Sequence, residues 1–412
     1  MRKIILVCLM FFTTSFAFSK SFFDSRIFEV KVNAPVNISN NTFNIFDFLK
    51  KEVVIDLRKI ADEMPQNGFN LSLLATPNAA VTLNFGEHVK VGPRMGVEAS
   101  GAVNVSKSFF DFLGYGNKPN EDIKVDADMS FDVFAYTGFL IGIKFKKLKI
   151  GLEPQLFFPI VSGSANDLSL AVMNQNGKFH IKGSGGGVLY ENLPLFGNDE
   201  DVDTDEILNS FTNGRGIDLG GYVGYDISKA LSFTVNYKIP IMPGKYFAKR
   251  NANLNIDAEI SAEKNETEEG SESEGEEDSS LDFSDAFTFG ERTSVVKEIH
   301  RPLKLNLGID YALVNNFIYV NGLIGIGVRH PFMDDAQVYP EYAAGIKLTL
   351  AGFVSLQVST DYFDQVFSHT LAASMSLRFV QVDAGVKFSS TDFIKSFSGS
   401  GIGAFATVYV GF

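Results

Sequence analysis

Residues 69–85 read Phe69-Asn70-Leu71-Ser72-Leu73-Leu74-Ala75-Thr76-Pro77-Asn78-Ala79-Ala80-Val81-Thr82-Leu83-Asn84-Phe85. Every odd position is apolar, and Asn70, Ser72, Thr76, Asn78, Thr82 and Asn84 stand between them. Successive side chains of a strand point to opposite faces, so this run is a strand with one greasy and one mostly polar side. Its length exceeds the roughly 3–10 residues of strands in soluble sheets. A transmembrane strand needs about 9–11 tilted residues to cross the hydrocarbon, with apolar side chains outward and polar ones inward. The run fits a barrel wall that continues beyond a bilayer.

The same period spreads in both directions. After Gly86-Glu87 it resumes as Val89, Val91, Pro93, Met95 and Val97 against Lys90, Arg94 and Glu98. It returns over 26–38, 123–145, 148–160, 217–227, 231–241, 301–313, 317–329, 342–350, 353–362, 370–379, 382–389 and 401–412. Short turns (Gly86-Glu87, Lys146-Lys147, Ser228-Lys229-Ala230, Asn315-Asn316, Ala351-Gly352, Val380-Gln381) alternate with long connections at 39–68, 107–122, 162–216, 242–300, 330–341, 363–369 and 390–400. Short turns on one side and long loops on the other are the rule of bacterial outer-membrane barrels. The expected fold is all-β, a transmembrane antiparallel barrel of about 14 strands with long extracellular loops, forming one domain over residues 20–412.

Composition supports this by exclusion. Charged residues make up 21% of the chain, and past the first twenty positions no run of about 18 apolar residues occurs, so a helical membrane protein is excluded. The net charge of -13 is concentrated in 257–285, where 13 acids face one base, Lys264. The remainder is nearly neutral, which makes nucleic acid a poor partner. The acidic segment, rich in Glu, Ser and Gly, is expected to be a disordered part of an outside loop.

Arg2 and Lys3 followed by the apolar residues 4–12 and by Ser15-Phe16-Ala17 or Ala17-Phe18-Ser19 read as a signal peptide over 1–19. The rival reading is a lipoprotein signal acylated at Cys8, the only cysteine. Phe46, Leu49, Val53, Leu57, Ile60 and Met64, spaced three or four apart and stopped by Pro65, predict an amphipathic helix over 45–64. It either caps the lumen or lies on the membrane.

Signs of chemistry are few. Gly183-Ser184-Gly185-Gly186-Gly187 lacks the Lys-Ser/Thr ending of a phosphate loop and reads as a flexible loop. Asp199, Asp201, Asp203 and Asp205 lack the turn glycine of a calcium loop. The five histidines are scattered, so no enzyme, no cofactor and no metal site is expected. Lumen charges are expected at Lys90, Arg94, Glu98, Asp126, Asp128 and Asp132, with Lys304, Lys347, Arg378 and Lys387 inward on other strands; they serve either cross-strand pairing or a solute-selective ring. Prolines within strands delete ladder donors and glycines weaken them, so the wall is expected to be weak around Pro77, Gly92, Pro93 and Gly96. Pairing Phe85 with His88 puts Pro93 opposite Ala80 and Pro77 opposite Gly96.

The strand count, the segment 48–62, the stretch Ser108-Phe109-Phe110-Asp111-Phe112-Leu113 and the last strand together resemble FadL-like outer-membrane barrels, the long-chain fatty acid transporter family, in a divergent form found in spirochaetes. The resemblance implies an outer-membrane location and passive uptake of hydrophobic nutrients such as long-chain fatty acids. It also implies a kink in the third strand that opens a side gate toward lipid, a position that Gly92-Pro93-Arg94 suits. Val408, Val410 and the aromatic Phe412 resemble the signal read by the barrel-assembly machinery. The expected partners are outer-membrane lipid, that machinery and a hydrophobic small molecule, with the protein a monomer. The alternatives are a general porin for small polar solutes and a surface adhesin or structural barrel. An apolar pocket lined by Phe favours lipid, and an open charged channel favours polar solutes.

Overall fold

The computed structural model describes residues 26–44, 56–116, 123–175, 178–193, 204–261, 287–314, 317–334, 336–350, 353–377 and 379–412. The signal peptide, residues 45–55 of the expected helix, Arg378, Asp199, Asp201 and Asp203, and 262–285 of the acidic segment lie outside them.

The first strands are β1 (Phe28–Asn40), β2 (Phe69–Ala75), β3 (Asn78–Phe85), β4 (Val89–Val105), β5 (Ile123–Phe145), β6 (Leu148–Gln175) and β7 (Lys178–Glu191). Then come β8 (Gly216–Asp226), β9 (Leu231–Met242), β10 (Gly244–Ser261), β11 (Phe287–Phe289), β12 (Thr293–Ile299) and β13 (Leu303–Val314). The series ends with β14 (Ile318–Arg329), β15 (Gln337–Leu350), β16 (Val354–Phe363), β17 (Val366–Ser376), β18 (Val380–Ser390) and β19 (Ile402–Gly411). Neighbours pair antiparallel, and β1 pairs β19 from Glu29↔Gly411 to Ile38↔Ile402, which closes the sheet on itself. The N–H groups of Ile27 and Phe28 both donate to the carbonyl of Phe412, at 2.7 and 3.2 Å. Closure leaves no unpaired edge, the condition for burying strands in lipid.

The all-β closed barrel is as expected. Counting β2 with β3 and β11 to β13 together as interrupted runs gives 16 strands in all, of which 14 form the closed ring, while β7 and β10 continue the wall above β8 and β9. The two additional strands, β7 and β10, lie in stretches expected to be connections, and Gly183 to Gly187 are ladder residues of β7 paired to β6 and β10 rather than a loop. The outer half of β6 pairs β7 while its inner half pairs β8; β10 pairs β7 and β12, and β9 pairs β8 and β13. A wall standing above a bilayer is wetted on both sides, so its strands need no apolar phase and the period-two signal fades. The connection expected over 363–369 reduces to a turn at Asp364 and Gln365, both with positive φ. Strand β10 also takes in residues 257–261 of the acidic segment, expected to be disordered, and pairs them with β7 from Asp257↔Lys182 to Ser261↔Lys178.

The two faces differ as the alternation requires. Ile324 is 64% exposed and its neighbour Leu323 3%. Outward large apolar side chains, among them Met95, Phe139, Ile346, Val358 and Leu371, recur right around the barrel. A band of this extent far exceeds the apolar patches of soluble proteins.

Helix α1 (Leu57–Glu63) starts at Asp56, whose side chain accepts from the N–H of Arg58 and Lys59. An extended Asp56 means that a single unbroken helix over 45–64 is not formed. Helix α2 (Lys107–Tyr115) packs on it, with Lys107 Nζ donating to the carbonyl of Ala61 at 2.6 Å. Phe110 of α2 lies 5.9 Å from Phe69, which is in phase with the outward Leu71 and Leu73, so the helix pair sits on the outward side of β2 and β4. A third helix, α3 (Thr204–Asn213), lies between β7 and β8.

Candidate functional site

The inward phase of β4 carries Lys90, Arg94 and Glu98, every fourth residue of a period-two element. The backbone of Glu98 pairs with Phe134 of β5, while its side chain reaches past the neighbouring strands. Its carboxylate accepts from Lys238 Nζ of β9 at 3.1 and 3.2 Å, and from Arg301 of the β12–β13 junction at 2.5 Å (Nη2) and 3.1 Å (Nε). Arg301 Nη1 also donates to Asp218 of β8 at 2.8 Å and to Gln155 of β6 at 3.1 Å. Gln155 donates to Glu153 at 2.7 Å, and Arg94 Nη1 donates to Glu153 at 2.9 Å. Three carboxylates and three cations thus form one connected, neutral network that spans the lumen from β4 to β9. Arg301 is almost wholly buried and stacks between Tyr136, 4.8 Å from the ring centroid, and Phe157, at 5.6 Å. A planar guanidinium with bidentate partners and aromatic faces is the arrangement in which Arg is most strongly held.

Elsewhere the lumen carries shorter links. Lys304 Nζ and Asn306 Nδ2 donate to Glu341 at 2.6 and 2.8 Å, and Lys387 Nζ donates to Asp361 at 3.0 Å. Asp132 faces the lumen beneath Ser162, while Asp126 and Asp128 are exposed where β5 rises beside α2. Val408, Val410 and Phe412 all point outward, and the Phe412 ring lies 5.7 Å from that of Phe28.

Toward the short-turn end from the network is a cavity of about 330 Å³ lined by Lys31, Asn78, Arg94, Tyr136, Glu153 and Lys238, among others. Beside it the β3–β4 ladder is interrupted, although the two backbones stay in close contact. β3 and β4 pair at Ala80↔Arg94 and again at Leu83↔Val91, with no pairs between. Val81 and Thr82 still pair β1 on one side, and Gly92 and Pro93 still pair β5 on the other, so the break is confined to this seam. Its cause is local. Val97, in phase with Pro93, donates its N–H across the seam to the carbonyl of Pro77 at 2.9 Å, so the donor that Pro93 lacks is one that faces β3. A Cβ on Gly92 would lie 1.8 Å from the carbonyl oxygen of Val81.

The register differs by one residue from the expectation. Phe85 pairs with Val89, not His88, because the turn spans Gly86, Glu87 and His88, with Gly86 at φ 61°. Pro93 therefore lies opposite Val81, and Gly96 opposite Asn78. Pro77 interrupts β2 and β3 without opening the wall, since Thr76 donates to Pro35 across to β1 and Pro77 accepts from Val97. Of the residues expected to weaken the wall, Gly92 and Pro93 are the two β4 residues inside the break, while Gly96 pairs with Asn78. Arg301, Lys238, Asp218, Glu153 and Lys31 were not singled out by the sequence reading; all but Arg301 sit in the polar phase of a recognised strand, whereas Arg301 opens the run 301–313 in its apolar phase and in the structure precedes β13.

A closed antiparallel barrel with an outward apolar band and a charged, hydrogen-bonded interior is a transmembrane β-barrel of the outer-membrane kind. Within that class the chain belongs to the DUF5723 family, described as a family of unknown function, whose model matches residues 28–386. No curated protein matches it. Among solved structures it is similar to the Ralstonia pickettii toluene transporter TbuX, at 9% identity and a TM-score of 0.46 over 94% of this chain and 90% of that one. It is similar also to the P. putida toluene transporter TodX, at 10% identity and a TM-score of 0.44 over 93% and 89%. A Pseudomonas aeruginosa FadL homologue aligns at 9% identity and a TM-score of 0.39, over 94% and 89%.

Proposed function

We propose that this barrel carries hydrophobic nutrients of amphiphilic form, with long-chain fatty acids the best-fitting class, passively across the outer membrane and releases them sideways into the bilayer. The observation that carries the reading is the adjacency of the polar cavity and the seam break: Arg94 lines the cavity and is the neighbour of Pro93. An anionic head held among Lys31, Arg94 and Lys238 leaves its tail beside the only break in the β3–β4 ladder among the described residues, a seam that would part to release it. A lateral exit suits an alkyl tail, which gains roughly 0.8 kcal/mol per CH₂ on leaving water and would lose it again by crossing to the periplasm. The test compares fatty-acid uptake and ionic conductance of the same protein in reconstituted bilayers. Fast uptake with low conductance is expected; conductance without uptake would sink the reading.

That second outcome belongs to the alternative, a channel for small polar solutes. The lining of the cavity favours it, since no Phe contributes and Lys, Arg, Glu, Gln, Asn and Tyr side chains dominate.

A further inference from the structure

The segment 391–401, which joins β18 to β19, does not arch over the mouth of the barrel. Asp392 accepts from the N–H of Ile394 and Lys395, at 2.8 and 2.9 Å, and starts a 3-10 turn at Lys395–Phe397. Lys395 Nζ donates to the carbonyl of Asn41 at 2.8 Å. The buried hydroxyl of Ser396 meets His369 Nε2 at 2.8 Å, and the Phe397 ring stacks on that imidazole with centroids 3.7 Å apart. His369 stands on β17 in phase with the outward Leu371 and Met375. The turn is therefore fastened to the lipid-facing side of the wall. Ser390, in the same outward phase opposite Phe367, is fully buried beneath it.

What the turn presents away from the wall is apolar: Phe393, Ile394 and Phe397 are 51%, 79% and 64% exposed. They extend an aromatic band across β15, β16 and β17, with centroid separations of 5.1 Å for Tyr342 and Tyr362, 4.4 Å for Tyr362 and Phe367, and 5.3 Å for Phe367 and Phe393. The height of this band follows from strand length. The strands β16 and β17 have 10 and 11 residues, about the length that crosses the hydrocarbon, so their upper ends mark its outer boundary. Aromatic rings of amphipathic environment collect at that boundary.

We infer that segment 391–401 is a lipid-binding hook, with Phe393, Ile394 and Phe397 inserted among the acyl chains of the outer leaflet. The occupant is lipid rather than a second copy of the chain because the patch is continuous with the outward apolar belt and is joined to it by ring contacts. Such a hook sets the depth of the low side of the barrel in the membrane, opposite the tall wall of β5, β6, β7 and β10.

The chain contains no tryptophan, so Ile394→Trp gives a single reporter. The full-length variant is refolded into phosphatidylcholine vesicles whose acyl chains carry bromine near the headgroup or near the bilayer centre, and folding is checked by heat-modifiable gel mobility. Blue-shifted emission with a roughly two-fold loss in the shallow-bromine vesicles, and little quenching by aqueous acrylamide, is the expected result. Water-like emission quenched by acrylamide overturns the inference, and so does blue-shifted emission that neither quencher reaches, which would place another copy over the patch. Phe393→Trp, an aromatic exchange, repeats the measurement if Ile394→Trp does not fold.

Discussion

Arg301 and Glu98, 203 positions apart in the chain, share two hydrogen bonds across the lumen. They meet because barrel closure brings the β12–β13 junction to face β4, with Lys238 and Asp218 completing the contact. The pair lies in the lumen on the long-connection side of Arg94, which lines the cavity. Glu98 is part of a chord through the channel, unlike the Lys304–Glu341 and Lys387–Asp361 pairs, which skip a single strand.

Replacing Glu98 with Gln removes the charge that holds two cations and leaves Arg301 buried without its main partner. Breaking such a pair costs on the order of 3 kcal/mol when fully buried, and less here because the Glu98 side chain is 29% exposed. The midpoint of heat-modified mobility should fall, and single-channel conductance should rise as the chord opens. Unchanged conductance in a folded variant would remove Glu98 from any role in closing the lumen.

Pro93→Val returns an N–H to the face that meets β3. One additional ladder bond is worth about 1 kcal/mol, so urea resistance should increase. Under the proposed function, fatty-acid uptake should drop while conductance stays the same. Uptake equal to the parent in a correctly folded Pro93→Val barrel would exclude this seam as the exit.

Gly92→Ala acts in the opposite sense. Its Cβ would lie 1.8 Å from the Val81 carbonyl, a separation that forces the backbones of β3 and β4 apart. Overpacking of this kind costs about 1–3 kcal/mol. The expected outcome is a lower urea midpoint, together with faster proteolysis between β3 and β4 in detergent.

Arg94→Gln tests the head-binding part of the proposed site. A charge-assisted hydrogen bond contributes about 1.5–3 kcal/mol, or roughly ten-fold or more in affinity. The apparent affinity for a fatty acid should weaken by about that factor, whereas uptake of the alcohol of equal chain length should change little. Equal losses for acid and alcohol would point to damage to the wall rather than to recognition of charge.

Period-two alternation at 69–85 and its repeats was enough to establish an all-β wall, its apolar outer face, and the inward phase of Arg94, Glu98 and Asp132. Those are local properties, set by the pleat of each strand and the solvent on each side. The proline at the interrupted ladder was legible too, because a missing N–H is written in the residue type. The strands β7 and β10 were not, since a wall wetted on both faces carries no alternation. Nor was the residue opposite Pro93, which depends on whether the turn at Gly86 holds two residues or three. Only the tertiary structure decided that Glu98 meets Arg301 and Lys238, and that Phe397 lies over His369. Which inward or outward side chains converge depends on closure, strand tilt and stagger around the whole barrel, and these are collective quantities that no single strand encodes.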